Sequence, residues 1–310
     1  MILIECEQGS DAWREARAGV LTASVADAAL TMVGGLDDRQ QAYVDAILAG
    51  KSEAEAKLMG GYKAKPSAAG IELALQGIDP AQPGDSAIRE AWRIAIERVC
   101  GEAIVSEFET FATKRGKLLE QQARAHYEML EGVLVLEQGL YLTDDGRCGY
   151  STDGAVSGQP GGIEVKCPTS PQLLGAVWQS PATAEQDYLT QCEFGLWLTG
   201  WRWIDLIVYC PWLESVGKEM FVKRIWRDDD RIEKMEAGIL RFLALADKFE
   251  ALLRSDLPTR YESAVPAKFA APARALTDSP TGADAFAFAA AAANPPFTAP
   301  ATAALPDLTF

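Results

Sequence analysis

The sequence predicts an α/β or α+β fold in which a mixed central sheet is flanked by helices. Two observations support this: apolar residues recur at three- and four-residue steps in some segments, and short runs rich in β-branched and aromatic residues lie between them. The helix-like segments are 115–130, 184–198 and 235–253. The strand-like segments are 133–142, 148–156, GGIEVKCP and WIDLIVYCP. Because helices and strands alternate, we expect the strands to share one sheet with helices packed against it.

Composition and hydrophobic periodicity divide the chain into three parts. Residues 1–33 and 86–260 carry the alternating pattern and are expected to form the core. Residues 34–85 contain short helical segments broken by GG, KP and DPAQPG, which indicates an inserted small helical module. Residues 261–310 are rich in alanine and proline and offer little large apolar surface, so a flexible tail is expected there.

Composition excludes several classes of enzyme. The single histidine, His126, cannot build a three-histidine zinc site. Six cysteines occur without a CxxC pair, which disfavours zinc ribbons and iron–sulfur clusters and indicates reduced thiols. The net charge of −15 argues against a broad nucleic-acid surface and restricts any DNA contact to a local basic lining. No apolar stretch suits a membrane span and no signal peptide is evident, so we expect a cytoplasmic protein without a membrane partner.

The residues most indicative of chemistry lie in GYSTDGAVSGQPGGIEVKCP. Side chains two apart on a strand share a face, so Glu164 and Lys166 would project together, and a hairpin through SGQPGG would bring Asp153 beside them. Two carboxylates at a strand end suit Mg²⁺, and a lysine there can orient or deprotonate a water and oppose negative charge. The alternative is an exposed Glu and Lys on an edge strand with an unrelated turn aspartate.

This arrangement resembles the PD-(D/E)xK nuclease superfamily, and further segments resemble its lambda exonuclease branch, the YqaJ-like viral recombinases. The similarity extends in order over nearly all of 5–255, apart from 34–85. The segments that carry it are EQGSDAWREARAGVLTAS, RGKLLEQQARAHYE, STDG with GGIEVKCP, and YLTQCEFGLWLTG followed by a strand ending in YCP. The resemblance implies a restriction-endonuclease-like core.

The resemblance also implies roles for the acidic cluster. Asp153 and Glu164, with the main-chain carbonyl of Val165, would bind Mg²⁺, for which Mn²⁺ is a substitute, and Lys166 would serve the attacking water. Glu120 matches a helical carboxylate that supports the metal directly or through water. The alternative for Glu120 is a helical i,i+4 ion pair with Arg124.

Further positions match the family around this cluster. Arg17 and Ser24, with Ser151, resemble a pocket for a terminal 5′-phosphate, although Arg17 could instead be an ordinary helix-surface arginine. Gln191 matches a glutamine that lines the site. Glu193 departs from the family, where glutamine often recurs, and would repel DNA or point outward.

The inserted segment has a weaker likeness of its own. Residues 36–75 can be divided into three short helices, and they resemble the helix-turn-helix region of phage terminase small subunits. If the likeness holds, Lys63 and Lys65 would contact phosphates; a plain helical insertion is the alternative.

Together these features predict an alkaline-type, Mg²⁺-dependent 5′→3′ exodeoxyribonuclease of phage or prophage type, working by two-metal phosphodiester hydrolysis. The resemblance implies linear duplex ends, preferably 5′-phosphorylated, as substrate, and 3′ overhangs passed to a single-strand annealing protein. It further implies a homotrimeric ring in the cytoplasm of a bacterial host. The alternatives are an endonucleolytic or structure-specific repair nuclease of the same superfamily, and a non-catalytic DNA-binding factor for recombination or packaging.

Overall fold

The computed structural model describes residues 1–104 and 111–256 of the chain. The helices are α1 (Asp11–Ala16), α2 (Ala26–Ala29), α3 (Asp38–Leu48), α4 (Glu53–Met59), α5 (Ala69–Leu75), α6 (Asp85–Cys100), α7 (Phe111–Glu131), α8 (Pro171–Gln179), α9 (Leu189–Thr199) and α10 (Asp229–Leu253). The strands are β1 (Ile2–Ile4), β2 (Leu21–Thr22), β3 (Met32–Val33), β4 (Gln82–Pro83), β5 (Val135–Leu136), β6 (Leu140–Leu142), β7 (Cys148–Ser151), β8 (Gly154–Val156), β9 (Gly161–Lys166), β10 (Trp203–Tyr209) and β11 (Met220–Trp226). The predicted tail, 261–310, lies outside the described residues.

The central sheet has the strand order β11-β10-β9-β8-β5. Strands β9 and β10 are parallel, whereas the other neighbours in this sheet are antiparallel. A second sheet, β1-β6-β7-β2, also combines both orientations because β2 runs parallel to β7. The prediction of a mixed sheet flanked by helices is confirmed, but the strands do not all share one sheet, because β6 and β7 belong to the second.

Both faces of the central sheet are covered. Along β10, Ile204 and Leu206 pack into a cluster with residues of α6, α9 and α10, whereas Trp203 and Ile207 pack on the opposite face with residues of α7. Strand β10 is buried over its whole length, as expected for a central strand with helices on both sides. Parallel pairing with β10 places β9 in this doubly covered part of the sheet, beneath α9 and α7.

Three helix starts differ from the sequence prediction, and one of them is that of α7, which begins at Phe111 rather than at Arg115. Helix α10 begins at Asp229 rather than near 235, because Asp228 caps its N-terminus by accepting a hydrogen bond from the Arg231 N–H. The first turn of α10 is highly charged, which hides the apolar period there even though Ile232 is buried. The predicted helix 184–198 begins only at Leu189, after a 3₁₀ turn at 181–183. Among the described helices, none combines the length and the apolar character that crossing a membrane requires.

Helices α3, α4 and α5 form a cluster with one another. Tyr43 and Val44 of α3 are buried against Ala56 of α4 and Ile71 of α5. Each of α3 and α4 starts with a capping box, in which Asp37 and Ser52 are the cap residues. The chain enters and leaves this segment through the antiparallel pair β3–β4.

Asp205 on β10 connects α7 to the sheet. Its buried carboxylate accepts a hydrogen bond from the Tyr127 hydroxyl at 2.6 Å and from two Arg224 nitrogens at 2.8 and 2.7 Å. The Arg224 guanidinium also stacks on the Trp203 ring, with its carbon 3.7 Å from the ring centroid. One carboxylate thus joins a helix and two strands.

We expect Asp205→Ala to lower the free energy of unfolding by about 3 kcal/mol, because it leaves a buried hydroxyl and a partly buried guanidinium without an acceptor. Urea denaturation measures the change. Asp229→Ala is the matched control: its exposed ion pair with Arg227 should contribute less than about 1 kcal/mol. Equal losses in the two variants would contradict the structural role of Asp205.

Candidate active site

Strand β9 places Glu164 and Lys166 on one face of the sheet, beneath α9. Val165, between them, packs on the opposite face with the α7 cluster. Glu164 lies opposite Leu206 of the parallel strand β10 and is only 2% exposed. Lys166 is the last residue of β9, so its side chain lies where the strand ends and is half-buried.

The Glu164 carboxylate is surrounded by hydrogen-bond donors. Its Oε1 accepts from the Lys166 ammonium at 2.9 Å and from the Gln191 amide at 2.5 Å. Its Oε2 accepts from the Tyr150 hydroxyl at 3.1 Å. Lys166 also donates to Gln191 Oε1 at 2.8 Å, which closes a triangle of side chains from β9 and α9. Glu164 is therefore fixed from two strands and one helix.

Asp153 stands at the turn immediately before β8. Because Gly154 pairs with Ile163, the hairpin brings Asp153 beside Glu164 on the neighbouring strand. Its Oδ2 accepts the Val165 N–H at 2.6 Å. The preceding residue, Thr152, is buried, and its hydroxyl lies 3.2 Å from the Ile163 carbonyl oxygen. The turn is thus fastened to β9 on both sides of the aspartate.

Glu120 projects from α7 towards this cluster. Its Oε1 accepts from Arg124 at 3.2 Å, so the i,i+4 ion pair considered as an alternative is present. Glu120 and Asp153 also line the same cavity, which has a volume of about 590 Å³. Pairing with Arg124 therefore does not separate Glu120 from the acidic cluster.

Burial and neighbouring charges shift the pKa values of the acids in this cluster. Burial, and then the charges of Glu164 and Glu120, raise the pKa of Asp153 well above its ordinary value. Burial also raises the pKa of Glu120, with a further contribution from Glu164 that Arg124 opposes. For Lys166, burial lowers the pKa, but the charge and hydrogen bond of Glu164 outweigh it, so the pKa is raised.

The chemistry of this site suits a hard divalent cation. Carboxylate oxygens are the ligands such ions prefer, and burial together with the neighbouring carboxylates raises the pKa values of Asp153 and Glu120, so an added positive charge would stabilise their ionised forms. In the part of the chain that the structure describes, however, no three carboxylate, thiolate or imidazole groups already converge as a metal-binding set. Asp153, directly before β8, and Glu164 of the adjacent β9 supply two carboxylates. A main-chain carbonyl would have to complete the set of metal ligands.

Arg17, Ser24 and Ser151 are linked through two other side chains. The Arg17 guanidinium stacks on the Trp13 ring, with its carbon 4.1 Å from the centroid, and donates to the Thr22 hydroxyl at 3.3 Å. The Trp13 indole N–H donates to Ser151 Oγ at 2.8 Å, and the Thr22 and Ser24 hydroxyls are 3.3 Å apart. The three predicted residues therefore border one polar site, close to the turn that carries Asp153.

The electrostatics around Arg17 favour an anion. Burial and the nearby charge of Arg93 lower the pKa of Arg17 to about 10, while Glu97 opposes the shift. Within the described residues Arg17 has no carboxylate ion pair, because Glu97 accepts instead from Arg93 at 2.7 Å and from the Gly19 N–H at 2.9 Å. A guanidinium half-buried near a second one would be stabilised by an incoming negative charge.

Other predicted positions lie away from this cluster. Glu193 does not point outward: it is 9% exposed and its Oε1 lies 2.6 Å from Arg231 of α10, which corrects that expectation from the sequence. Burial raises the pKa of Glu193, and Arg231 opposes the shift. Lys63 and Lys65 are exposed between α4 and α5, and Lys65 forms a loose ion pair with Glu53 at 3.8 Å.

Sequence reasoning did not assign roles to several residues that hold the site. Tyr150 contacts Glu164 from β7, and Gln8 donates its amide to the Thr152 carbonyl at 2.7 Å. Glu97 anchors the turn that follows Arg17 through Gly19. Of these residues, only Trp13 could have been found from local sequence. It stands four residues before Arg17, a spacing that brings helical side chains together.

The chain matches the family described as "YqaJ-like viral recombinase domain" over residues 12–202, which confirms the resemblance noted in the sequence. It is similar in structure to LHK-Exo, an alkaline exonuclease from Laribacter hongkongensis. The complex of LHK-Exo with dAMP shares 26% identity and a TM-score of 0.56, covering 79% of this chain and 97% of that chain. A further LHK-Exo structure gives 25% identity and a TM-score of 0.54, with the same coverage. None of the curated proteins matches the chain significantly by sequence.

The position of Tyr150 depends on Gly195 of α9. A Cβ at Gly195 would lie 2.7 Å from Tyr150 Cζ and 2.9 Å from Ile204 Cδ1. We expect Gly195→Ala to lower the free energy of unfolding by about 1–3 kcal/mol through overpacking. Gly175→Ala in α8 meets nothing within 4 Å and should raise stability by up to about 1 kcal/mol, since alanine is the better helix former. Thermal or urea unfolding compares them, and equal effects would refute the close packing of Tyr150.

Proposed function

Because the chain belongs to the YqaJ-like viral recombinase family, we propose that it is a Mg²⁺-dependent 5′→3′ exonuclease that hydrolyses one strand of linear duplex DNA. The observation that carries the proposal is the arrangement of Lys166 and Gln191 around the buried Glu164 carboxylate, with Asp153 held beside it by the Val165 N–H. This combination of acids and an ammonium suits phosphodiester hydrolysis. The similarity to alkaline exonuclease structures supports the same reaction class.

Asp153, Glu164, the Val165 carbonyl and Glu120 are the proposed metal ligands, with Mn²⁺ as a substitute for Mg²⁺ and two ions in the full site. When bound, the cations supply positive charge for the phosphodiester transition state and lower the pKa of a water molecule. Lys166, kept protonated by Glu164, orients the attacking water and opposes negative charge as it develops. Gln191 holds the Lys166 ammonium in position.

The site around Arg17 is proposed to receive the 5′-terminal phosphate. Arg17 supplies a planar cation that is already oriented by the Trp13 ring, and Ser24 and Ser151 add hydroxyl donors. Trp13 connects this site to β7, whose next residues lead to Asp153. A phosphate held there would set the position of the chain end relative to the acidic cluster.

The remaining parts of the proposal concern product, assembly and location. A 3′ single-stranded overhang would pass to a single-strand annealing protein, and three copies would form a ring around the DNA. Lys63 and Lys65 would add phosphate contacts from the α3–α5 helices, and their exposure is compatible with that role. The setting is the cytoplasm of a bacterial host, with a phage or prophage origin.

One assay tests the reaction and the role of Lys166 together. Wild-type protein should release nucleotides from linear duplex only when Mg²⁺ is present, and Lys166→Ala should reduce the rate by about 10²-fold or more, as for loss of a preorganised electrostatic group. The fold and duplex binding in chelator should be retained, whereas the melting temperature should fall, because the buried Glu164 carboxylate loses one of its donors. The rates are therefore compared at a temperature where both proteins are folded. Nicking of covalently closed circles would indicate an endonuclease instead, and absence of Mg²⁺-dependent release would favour a non-catalytic DNA-binding factor.

Arg17→Ala should remove the preference for 5′-phosphorylated ends over 5′-hydroxyl ends, because the guanidinium that pairs with the phosphate is lost. The readout is the ratio of initial rates on two duplexes that differ only in this group. Arg14→Ala is the control, since Arg14 lies on the same helix but is exposed and pairs with Asp11. An unchanged ratio in Arg17→Ala would show that the phosphate binds elsewhere.

A further inference from the structure

A tryptophan and an arginine stack together at the end of the strand that carries Lys166. The Arg115 guanidinium of α7 donates to the carbonyl of Cys167, the residue directly after Lys166, at 3.2 Å. The same guanidinium lies over the Trp212 ring, with its carbon 4.5 Å from the ring centroid. Trp212 follows β10, which ends beside β9 because the two strands are parallel. The pair is therefore fixed at the edge of the proposed catalytic centre.

The Trp212 side chain is more exposed than is usual for a tryptophan. It retains 64% of its surface, although a large aromatic ring is normally at least half-buried. The ring rests on a cation, so its orientation is already fixed before any partner binds. A flat, oriented aromatic surface with positive charge next to it is suited to a nucleobase and its phosphate.

A second cation–aromatic pair borders the same connection between β10 and β11. The Lys218 ammonium lies 4.6 Å from the centroid of the Trp178 ring, and Trp178 meets Phe221 edge to face at 5.7 Å between centroids. Helix α8, which carries Trp178, follows β9 along the chain. By contrast, Lys223 of β11 is already engaged by Glu185 and by the Ala182 carbonyl. Two cation–aromatic pairs, Arg115 with Trp212 and Lys218 with Trp178, thus border the connection between β10 and β11.

We propose that Trp212 stacked on Arg115, continued by Trp178 with Lys218, is a binding surface for single-stranded DNA, in which an unpaired base next to the bond being cut stacks on Trp212. This inference rests on the proposed nuclease function and adds to it the place where a separated strand is held. Stacking on an aromatic ring is largely independent of base identity, which suits an enzyme that degrades any sequence. Terminal phosphate recognition at Arg17 and base stacking at Trp212 are thereby separate contacts.

Binding of a 3′-labelled oligothymidylate, measured by fluorescence anisotropy in chelator so that no hydrolysis occurs, tests the proposal. Trp212→Ala should weaken binding by about 10-fold, the size expected for loss of one base–aromatic stack. Trp212→Phe should retain most of the affinity. Trp226→Ala is the matched control: Trp226 is equally exposed, at 62%, but stands at the opposite end of β11. Trp226→Ala should bind oligothymidylate with the same affinity as wild type.

An oligonucleotide of the same length with abasic sites separates stacking from phosphate contacts. Wild type should bind it more weakly than oligothymidylate, and this difference should be clearly smaller in Trp212→Ala, which keeps only the Trp178 ring. Equal affinities of Trp212→Ala and wild type for oligothymidylate, or no binding by wild type, would overturn the proposal. A change of molecular mass in Trp212→Ala with DNA affinity intact would also overturn it and identify a contact between copies. Because binding is measured without Mg²⁺, these outcomes are independent of whether nucleotide release is observed.

Discussion

The burial of the Glu164 carboxylate is the constraint on which the rest of the site depends. A charged group with 2% exposure is tolerated only when donors surround it, and here Lys166, Gln191 and Tyr150 supply them from β9, α9 and β7. The Gln191 and Tyr150 donors require α9 and β7 to approach β9 closely. The glycine at 195, which lets α9 lie against the Tyr150 ring, is a direct consequence of this requirement.

The parts of the structure that depend on local periodicity could be predicted from the sequence. Strand alternation places Glu164 and Lys166 on one face, and the hairpin brings Asp153 beside them. The partners that arrive from distant segments could not be predicted in this way. Arg231, which neutralises Glu193, follows it by many residues on another helix, and only the packing of α10 on α9 reveals that the acid is internal. The extra N-terminal turns of α10 were hidden because charged residues interrupt its apolar period.

Ion pairs that hold buried carboxylates reduce the number of basic side chains that are free to meet DNA. Among the described residues, four carboxylates are buried and each is held by a basic side chain, so the arginines among these partners are not available to bind phosphate. The pairs are Glu97 with Arg93, Glu164 with Lys166, Glu193 with Arg231, and Asp205 with Arg224. Arg17 differs because it rests on an aromatic ring. A charge total alone cannot distinguish cations consumed by folding from those free to recognise a ligand.

The short ladder between β3 and β4 gives the α3–α5 segment an unusual relationship to the rest of the chain. Met32 pairs with Pro83 and Val33 with Gln82, so the chain departs and returns at neighbouring positions. The segment between β3 and β4 therefore occupies the position that a turn occupies between two strands of a hairpin. Loop-closure entropy rises only slowly with length, and a connection of this kind can therefore be lengthened, shortened or exchanged at small thermodynamic cost. Changes in the length of this segment would therefore leave the strands that carry Asp153 and Glu164 in place.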